Sequence, residues 1–204
     1  MEFYEAVARR RTVREFRTDP VPDETVRRVL EAGLRAPSNA HLKPWRFVLL
    51  RDREKRRRAV VGGLRARDMK DGAEIERFLD QFTDETLKGV YRRSLPVQLT
   101  MMIEAPELLV VCYKMKPLAE CRTLFELNPL ASIWMGIENI MLAMAAEGLF
   151  GCTYTPYDAA GLKTALGVQP GWEVAAVIPF GYPKIPPGPG EPEDLDLRLN
   201  VDAW

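Results

Sequence analysis

Four arginines lie close together near the start of the chain, at positions 9, 10, 11 and 14, with Thr12 among them. Guanidinium groups present rigid sets of N–H donors that match the oxygens of a phosphate, and a threonine hydroxyl can bind the same group. Basic runs also occur on solvated surfaces, and composition alone does not separate the two interpretations. The cluster is therefore a candidate anion site.

A second segment of interest, residues 36–45, carries small polar side chains and the single histidine of the chain, His41. Pro37 is expected to end the preceding helix, and Pro44 leads into an apolar run at residues 47–50 that is typical of a buried strand. A lone histidine beside a helix end is more often structural than functional. His41 by itself therefore does not indicate a functional role; it would do so only beside a ligand site.

Several motifs, taken together in their order along the chain, resemble the nitroreductase family of FMN flavoproteins. They are Arg-Arg-Thr-Val-Arg-Glu-Phe at 10–16, Ala-Pro-Ser through Pro-Trp-Arg-Phe at 36–47, Glu-Asn at 138–139, Glu-Gly-Leu at 147–149 and Phe-Gly-Tyr-Pro at 180–183. None is diagnostic alone, but the combination covers roughly three quarters of the chain. The resemblance implies an α+β fold with a mostly antiparallel central sheet flanked by helices. It also implies a long buried central helix and a C-terminal extension exchanged in a homodimer.

The resemblance assigns roles to the N-terminal arginines. Arg10, Arg11 and Thr12 are expected to hold the phosphate and ribityl end of FMN. Arg14 is expected to lie beside the N1 and O2 edge of the flavin ring. A fixed positive charge there stabilises the negative charge of the reduced ring, so Arg14 is the expected catalytic residue.

Other expected flavin contacts come from two later segments. The resemblance places the flavin at a two-fold interface and assigns one group of contacts to the opposite subunit: Pro37, Ser38, Asn39 and His41. Many family members carry Asn at the position of His41, and an imidazole can donate a similar hydrogen bond. Around Tyr154 and Thr155 the family offers a backbone amide to flavin N5. Thr155 is the candidate, because the neighbouring Pro156 has no N–H.

The chain departs from the family near its C-terminus. Members usually carry an Arg or Lys shortly before the terminal segment, where it completes the phosphate site, whereas residues 185–191 hold no basic side chain. Either Lys184 or Arg198 compensates, or the N-terminal arginines hold the phosphate alone. Losing one charge-assisted contact costs about 1.5–3 kcal/mol, so FMN binding is expected to be weakened and not abolished.

Composition indicates one globular domain over the 204 residues, with 47% hydrophobic and 28% charged residues. The 29 basic and 29 acidic side chains balance, which argues against a nucleic-acid partner, since such binders usually carry a basic excess. Three cysteines without a Cys-x-x-Cys pair indicate neither a disulfide framework nor a metal site, and favour a cytoplasmic location.

The N-terminal residues predict no secretory signal. Glu138 and Glu147 within the apolar stretch 129–149 argue against a membrane span.

Hydrophobic periodicity and turn residues predict the elements that would position these groups. Helices are expected at 22–34, 53–58, across much of 69–99, from Pro129 towards Gly148, and from Asp158 to 166; strands are expected at 45–50, 107–113, 174–179 and, from alternating apolar residues, 195–204. The basic residues between 51 and 67 are interpreted as a solvated helix face. The central helix must be buried within one subunit or at an interface, and its polar Ser132 and Asn139 are expected to bond neighbouring backbone.

The resemblance also implies that residues 52–105 form a helical excursion covering the pocket and that residues 184–204 form the C-terminal extension, with Trp204 anchoring a dimer. The implied activity is a homodimeric, FMN-dependent oxidoreductase that passes a hydride from NADH or NADPH to a nitroaromatic or quinone by a ping-pong mechanism. Two alternatives stay open. One is another flavin chemistry, either reductive dehalogenation or breakdown of the flavin. The other is a non-catalytic protein that binds flavin or another ligand.

Overall fold

A four-stranded antiparallel sheet forms the centre of the computed structural model, which describes residues 1–156, 158–188, 190 and 194–202. The strands are β1 (Trp45–Leu49), β2 (Glu107–Lys114), β3 (Phe150–Gly151) and β4 (Trp172–Gly181), in the spatial order β1-β2-β4-β3. β2 and β4 form the central pair and are buried along most of their length. The predicted α+β architecture with an antiparallel sheet is confirmed.

Eight α-helices accompany the sheet within the described residues. They are α1 (Phe3–Arg9), α2 (Asp23–Leu34), α3 (Arg53–Arg57), α4 (Gly72–Leu79), α5 (Glu85–Ser94), α6 (Gln98–Glu104), α7 (Asn128–Ala146) and α8 (Ala160–Leu166). A π-helical turn, Arg58–Gly63, continues α3 and ends before Leu64. The helical region expected across 69–99 contains α4 and α5, which residues 80–84 separate, and then a 3₁₀ turn, Leu95–Val97, that leads into the start of α6.

The sheet separates two hydrophobic layers, because successive side chains of a strand point to opposite faces. Leu109 and Val111 of β2 pack in the layer formed with α2 and α7. Leu108 and Val110 pack in the other layer, which contains residues of the π-helical turn, α6 and α8. The alternation along β2 thus places α7 on one side of the sheet and the excursion on the other.

Helix α7 is the long central helix that the sequence predicts, and Pro129 lies in its first turn, where a missing N–H is tolerated. By length and composition, the stretch Leu124–Ala146 could cross a membrane. In the fold its inner face packs against α2 and the sheet, while Ala131, Met135 and Glu138 form an exposed stripe. The helix is therefore buried on one face only within the chain.

Ser132 and Asn139 of α7 bond neighbouring backbone groups, as predicted. The Ser132 hydroxyl donates to the Asn128 carbonyl at 2.6 Å and accepts the Asn39 N–H at 3.0 Å. The Asn139 side-chain amide donates to the Ala32 carbonyl at 3.3 Å. These bonds satisfy polar groups that would otherwise be costly to bury.

The basic run between residues 51 and 67 is not uniformly solvated, so that interpretation is wrong for one of its members. Arg56 is only 7% exposed, and its guanidinium donates to backbone carbonyls at both ends of the excursion. Periodicity could not reveal this, because some of the carbonyl acceptors come from the distant end of the excursion.

The strand predicted for residues 195–204 is also absent from the part that the structure describes. Residues 194–202 contain a 3₁₀ turn, Leu195–Leu197, and its apolar side chains are exposed. Alternating apolar residues form a strand only where they pair with the edge of a sheet. Within the described chain, no sheet edge pairs with residues 194–202. Trp204 lies outside the described residues.

Candidate functional site

The N-terminal segment is held between two other parts of the chain. The Val13 N–H donates to the Gly151 carbonyl at 3.1 Å, which joins the segment to β3. Further along, the Arg17 N–H donates to the Tyr182 carbonyl at 2.9 Å, and the Lys184 N–H donates to the Glu15 carbonyl at 3.0 Å. These backbone bonds fix Arg14 between two anchored positions.

Arg14 lies at a cavity of about 370 Å³, and its buried Nε has no hydrogen-bond partner among the described residues. The guanidinium also lies beside the Cys152 thiol. Burial raises the pKa of that thiol, and the charge and a hydrogen bond of Arg14 offset part of the rise. A buried donor without an acceptor is costly, so the Nε of Arg14 indicates a place where a ligand atom would accept a hydrogen bond.

Tyr154 and Thr155 line the same cavity, and only one of their amides is used inside the fold. The Tyr154 N–H donates to the Val177 carbonyl at 2.8 Å, and the Val177 N–H returns a bond of 2.8 Å to the Tyr154 carbonyl. Among the described residues the Thr155 N–H meets no backbone acceptor. The amide of Thr155 is therefore the one left for a ligand.

The opposite wall of the cavity comes from the excursion, which the family resemblance assigns to the pocket without naming side chains. Its lining residues there are Leu64, Arg65, Arg67, Met69, Phe78, Leu87, Val90, Tyr91, Ser94, Leu95, Gln98 and Met101. The excursion also has a small core of its own around Leu79 and Leu95. The cavity thus lies between the N-terminal segment and the excursion.

Arg10 and Arg11 do not line this cavity with Arg14. The Nε of Arg10 lies 3.4 Å from Oε1 of Glu138, on the exposed stripe of α7. The guanidinium of Arg11 donates to the Arg10 carbonyl at 2.5 Å and lies beside Gly190. Thr12 is exposed next to them. Of the two arginines expected at the phosphate, Arg10 therefore lies at the exposed stripe of α7, whereas Arg11 lies beside Gly190.

Lys184 lies on another side of the N-terminal segment. Its Nζ is 3.7 Å from Oε2 of Glu15, and both side chains are largely exposed. Together with Arg14, these residues border a smaller cleft of about 270 Å³. Within the chain, Lys184 makes its ion pair with Glu15 and is not grouped with Arg10 and Arg11.

The segment from Pro37 to His41 packs on α7 and does not line the cavity at Arg14. Ala40 and His41 have φ values of 52° and 56°, in the left-handed region that non-glycine residues rarely adopt. The Ser38 hydroxyl accepts the Lys43 N–H at 3.1 Å and braces the turn. Within one chain, this segment and Arg14 remain apart.

Comparison with known proteins shows relatives of more than one chemistry. The chain is 28% identical over 188 residues to iodotyrosine deiodinase of Hydra vulgaris, covering 89% of this chain and 65%, less than two thirds, of that protein. It is 24% identical over 214 residues to a putative NADH dehydrogenase/NAD(P)H nitroreductase of Methanothermobacter thermautotrophicus, covering 100% of this chain and 88% of the relative.

Among solved structures, the fold is similar to that of an oxidized iodotyrosine deiodinase bound to FMN and 3-iodo-L-tyrosine. The TM-score is 0.77 at 21% identity, and the match covers 98% of this chain and 100% of the other. The model of the Nitroreductase family matches residues 7–182. The chain therefore belongs to the nitroreductase family.

Proposed function

We propose that this chain is an FMN-dependent NAD(P)H oxidoreductase that acts as a homodimer in a reducing cytoplasm and reduces a small acceptor such as a nitroaromatic or quinone. The observation that carries the proposal is the buried Nε of Arg14, which has no hydrogen-bond partner among the described residues, at a cavity lined also by Thr155, whose N–H meets no backbone acceptor there. Two fixed donors at one cavity suit the polar edges of a flavin ring.

The residues present fit FMN in two respects. Arg14 would hold the N1 and O2 edge of the ring, and the Thr155 N–H would donate to N5. Bound there, FMN would supply hydride transfer between a nicotinamide and the acceptor. The positive charge of Arg14 would stabilise the negative charge that develops on the ring edge.

Proton delivery is assigned to solvent. Among the described residues that line the cavity there is no Asp, Glu or His. The lining therefore holds no carboxylic acid or imidazole, and water at the cavity mouth would supply the proton.

A second copy of the chain would complete the site. Tyr4 is 84% exposed, Phe125 is 69% exposed and Met135 is 43% exposed, although each is a large apolar side chain. Arg10 reaches Glu138 on the same exposed stripe of α7 as Met135. A partner docked on this stripe would cover Met135. It would also bring its own Pro37–His41 turn towards Arg10 and Arg11 of the first chain.

The test is to purify the protein, add FMN and record its visible spectrum. We expect flavin bands that remain after gel filtration and that bleach when NADH or NADPH is added without oxygen. Absence of bound flavin would overturn the assignment. Bound flavin that stays oxidised with both nicotinamides would favour a non-catalytic binding protein.

The relatives favour one alternative activity, reductive dehalogenation, because the Hydra protein is an iodotyrosine deiodinase. The reduced protein would be offered 3-iodo-L-tyrosine and a nitroaromatic in separate reactions. Iodide release faster than nitro reduction would favour the alternative, and the reverse would favour the main proposal.

A further inference from the structure

We propose that the acceptor is an anionic aromatic molecule, such as an aromatic carboxylate, and that Arg65 binds its negative group. This inference rests on the proposed function, because it concerns the acceptor side of the same cavity.

The lining of the cavity is positively charged. Within the described residues it contains Arg14, Arg65 and Arg67, and no carboxylate. Arg67 is already paired, since its Nη2 lies 2.7 Å from Oε1 of Glu74. Arg14 is assigned to the flavin. Arg65 is the remaining charge, and its guanidinium makes no hydrogen bond or ion pair in the described part of the chain.

The backbone holds Arg65 in place. Its φ is 54°, in the left-handed region that residues with a Cβ rarely adopt. On either side, the Leu64 N–H donates to the Ala59 carbonyl at 2.8 Å and the Ala66 N–H donates to the Val60 carbonyl at 3.1 Å. These bonds to the π-helical turn fix the residues that flank Arg65.

The same wall of the cavity offers aromatic surface. Phe78 and Tyr91 line it, with ring centroids 5.6 Å apart in an edge-to-face arrangement. Phe82 stacks on Tyr91 with ring centroids 4.9 Å apart, and both rings pack against the small core of the excursion. A cavity lined by both aromatic rings and the guanidinium-bearing Arg65 matches an aromatic molecule that carries a negative group.

The experiment compares two acceptors of similar size, 4-nitrobenzoate and neutral 4-nitrobenzamide, with the FMN-loaded protein. The reaction balances as NAD(P)H, a proton and the nitro compound giving NAD(P)⁺, the nitroso compound and water. We expect Arg65→Gln to lower kcat/KM for 4-nitrobenzoate about 10-fold or more, the value of one charge-assisted hydrogen bond, and to leave 4-nitrobenzamide unchanged. Arg65→Lys should restore part of the loss.

Arg93→Gln is the matched control, because it removes a charge from the same excursion at an exposed residue outside the cavity lining. This variant should leave kcat/KM unchanged for both acceptors. Equal kcat/KM for the two acceptors in the parent protein, or an equal loss for both in Arg65→Gln, would overturn the proposal. A loss confined to NADPH, with NADH unaffected, would assign Arg65 to the nicotinamide phosphate and would also overturn it.

A calorimetric titration with benzoate and benzamide separates this inference from the proposed function, because it requires no turnover. Tighter binding of benzoate that is lost in Arg65→Gln supports the inference even where NAD(P)H fails to reduce the protein. Equal binding of the two compounds contradicts it even where reduction proceeds.

Discussion

Arg56 and Ala105 are bonded across almost the whole excursion: Nη1 of Arg56 donates to the Ala105 carbonyl at 2.5 Å, although 49 residues separate them. The same guanidinium donates to the carbonyls of Leu50 and Pro106 at 2.7 and 3.2 Å. Burial lowers the pKa of this guanidinium. One side chain thus ties both ends of the excursion, and with them the cavity wall, to the strands that flank it.

Replacing Arg56 should destabilise the fold. We expect Arg56→Met to lower the free energy of unfolding by about 3 kcal/mol, because several buried carbonyls lose their donor. Urea unfolding measures the change. Arg57→Met, at an exposed neighbour in the same helix, is the control and should stay within about 0.5 kcal/mol of the parent. Similar stabilities for the two variants would contradict the anchoring role.

The approach of the π-helical turn to α8 gives a second prediction. A Cβ on Gly63 would lie 2.9 Å from the Cα of Leu162, whereas a Cβ on Gly62 would meet no atom within 4 Å. We expect Gly63→Ala to destabilise the protein by about 1–3 kcal/mol through overpacking, and Gly62→Ala to be neutral or slightly stabilising. Thermal unfolding compares the two, and equal melting temperatures would refute the close contact.

Asp68 predicts a pH-dependent contribution to stability. Its carboxylate accepts the N–H groups of Leu99 and Thr100 at 2.8 and 3.1 Å, at the start of α6. Burial raises the pKa of Asp68, but the hydrogen bonds from Thr100 and Leu99 outweigh it, so the pKa lies below its ordinary value of 3.8. Because the folded pKa is lowered, the stabilisation is present above pH 3.8 and is lost as pH falls through the folded pKa.

The corresponding variant is Asp68→Asn. At pH 7 it should be about 1–2 kcal/mol less stable than the parent, and the difference should shrink under acid conditions as Asp68 of the parent protonates. Urea unfolding of the parent and the variant at pH 7 and under acid conditions measures this difference. Asp80→Asn, at an exposed carboxylate, serves as the control. A difference that grows as pH falls would have the wrong sign for this account.

The exposed stripe of α7 predicts the oligomeric state. Met135→Glu places a charge in the proposed interface, so we expect a shift from dimer to monomer together with weaker FMN binding. Analytical ultracentrifugation and flavin titration measure the two effects. Val61→Glu, at an exposed apolar residue of the π-helical turn, should leave both unchanged. A parent protein that is monomeric with FMN bound would refute the interface.

Much of the fold follows from sequence patterns. Helix α2 is expected at 22–34 and occupies Asp23–Leu34, because its apolar spacing and proline boundaries are local signals. Those patterns miss the strand β3, Phe150–Gly151, since two residues are too few to show a period. They also miss the role of Arg65, because its position at the cavity depends on how the excursion folds over the sheet.

The most direct measurement is the rate at which NADH bleaches the flavin absorbance of the FMN-loaded protein without oxygen. We expect Arg14→Gln to slow this step about 100-fold, the usual loss when one donor that stabilises developing charge is removed. Arg17→Gln, which removes an exposed arginine paired with Asp19 on the same segment, should bleach at the parent rate. Equal rates for the parent and Arg14→Gln would contradict the placement of Arg14 at the flavin.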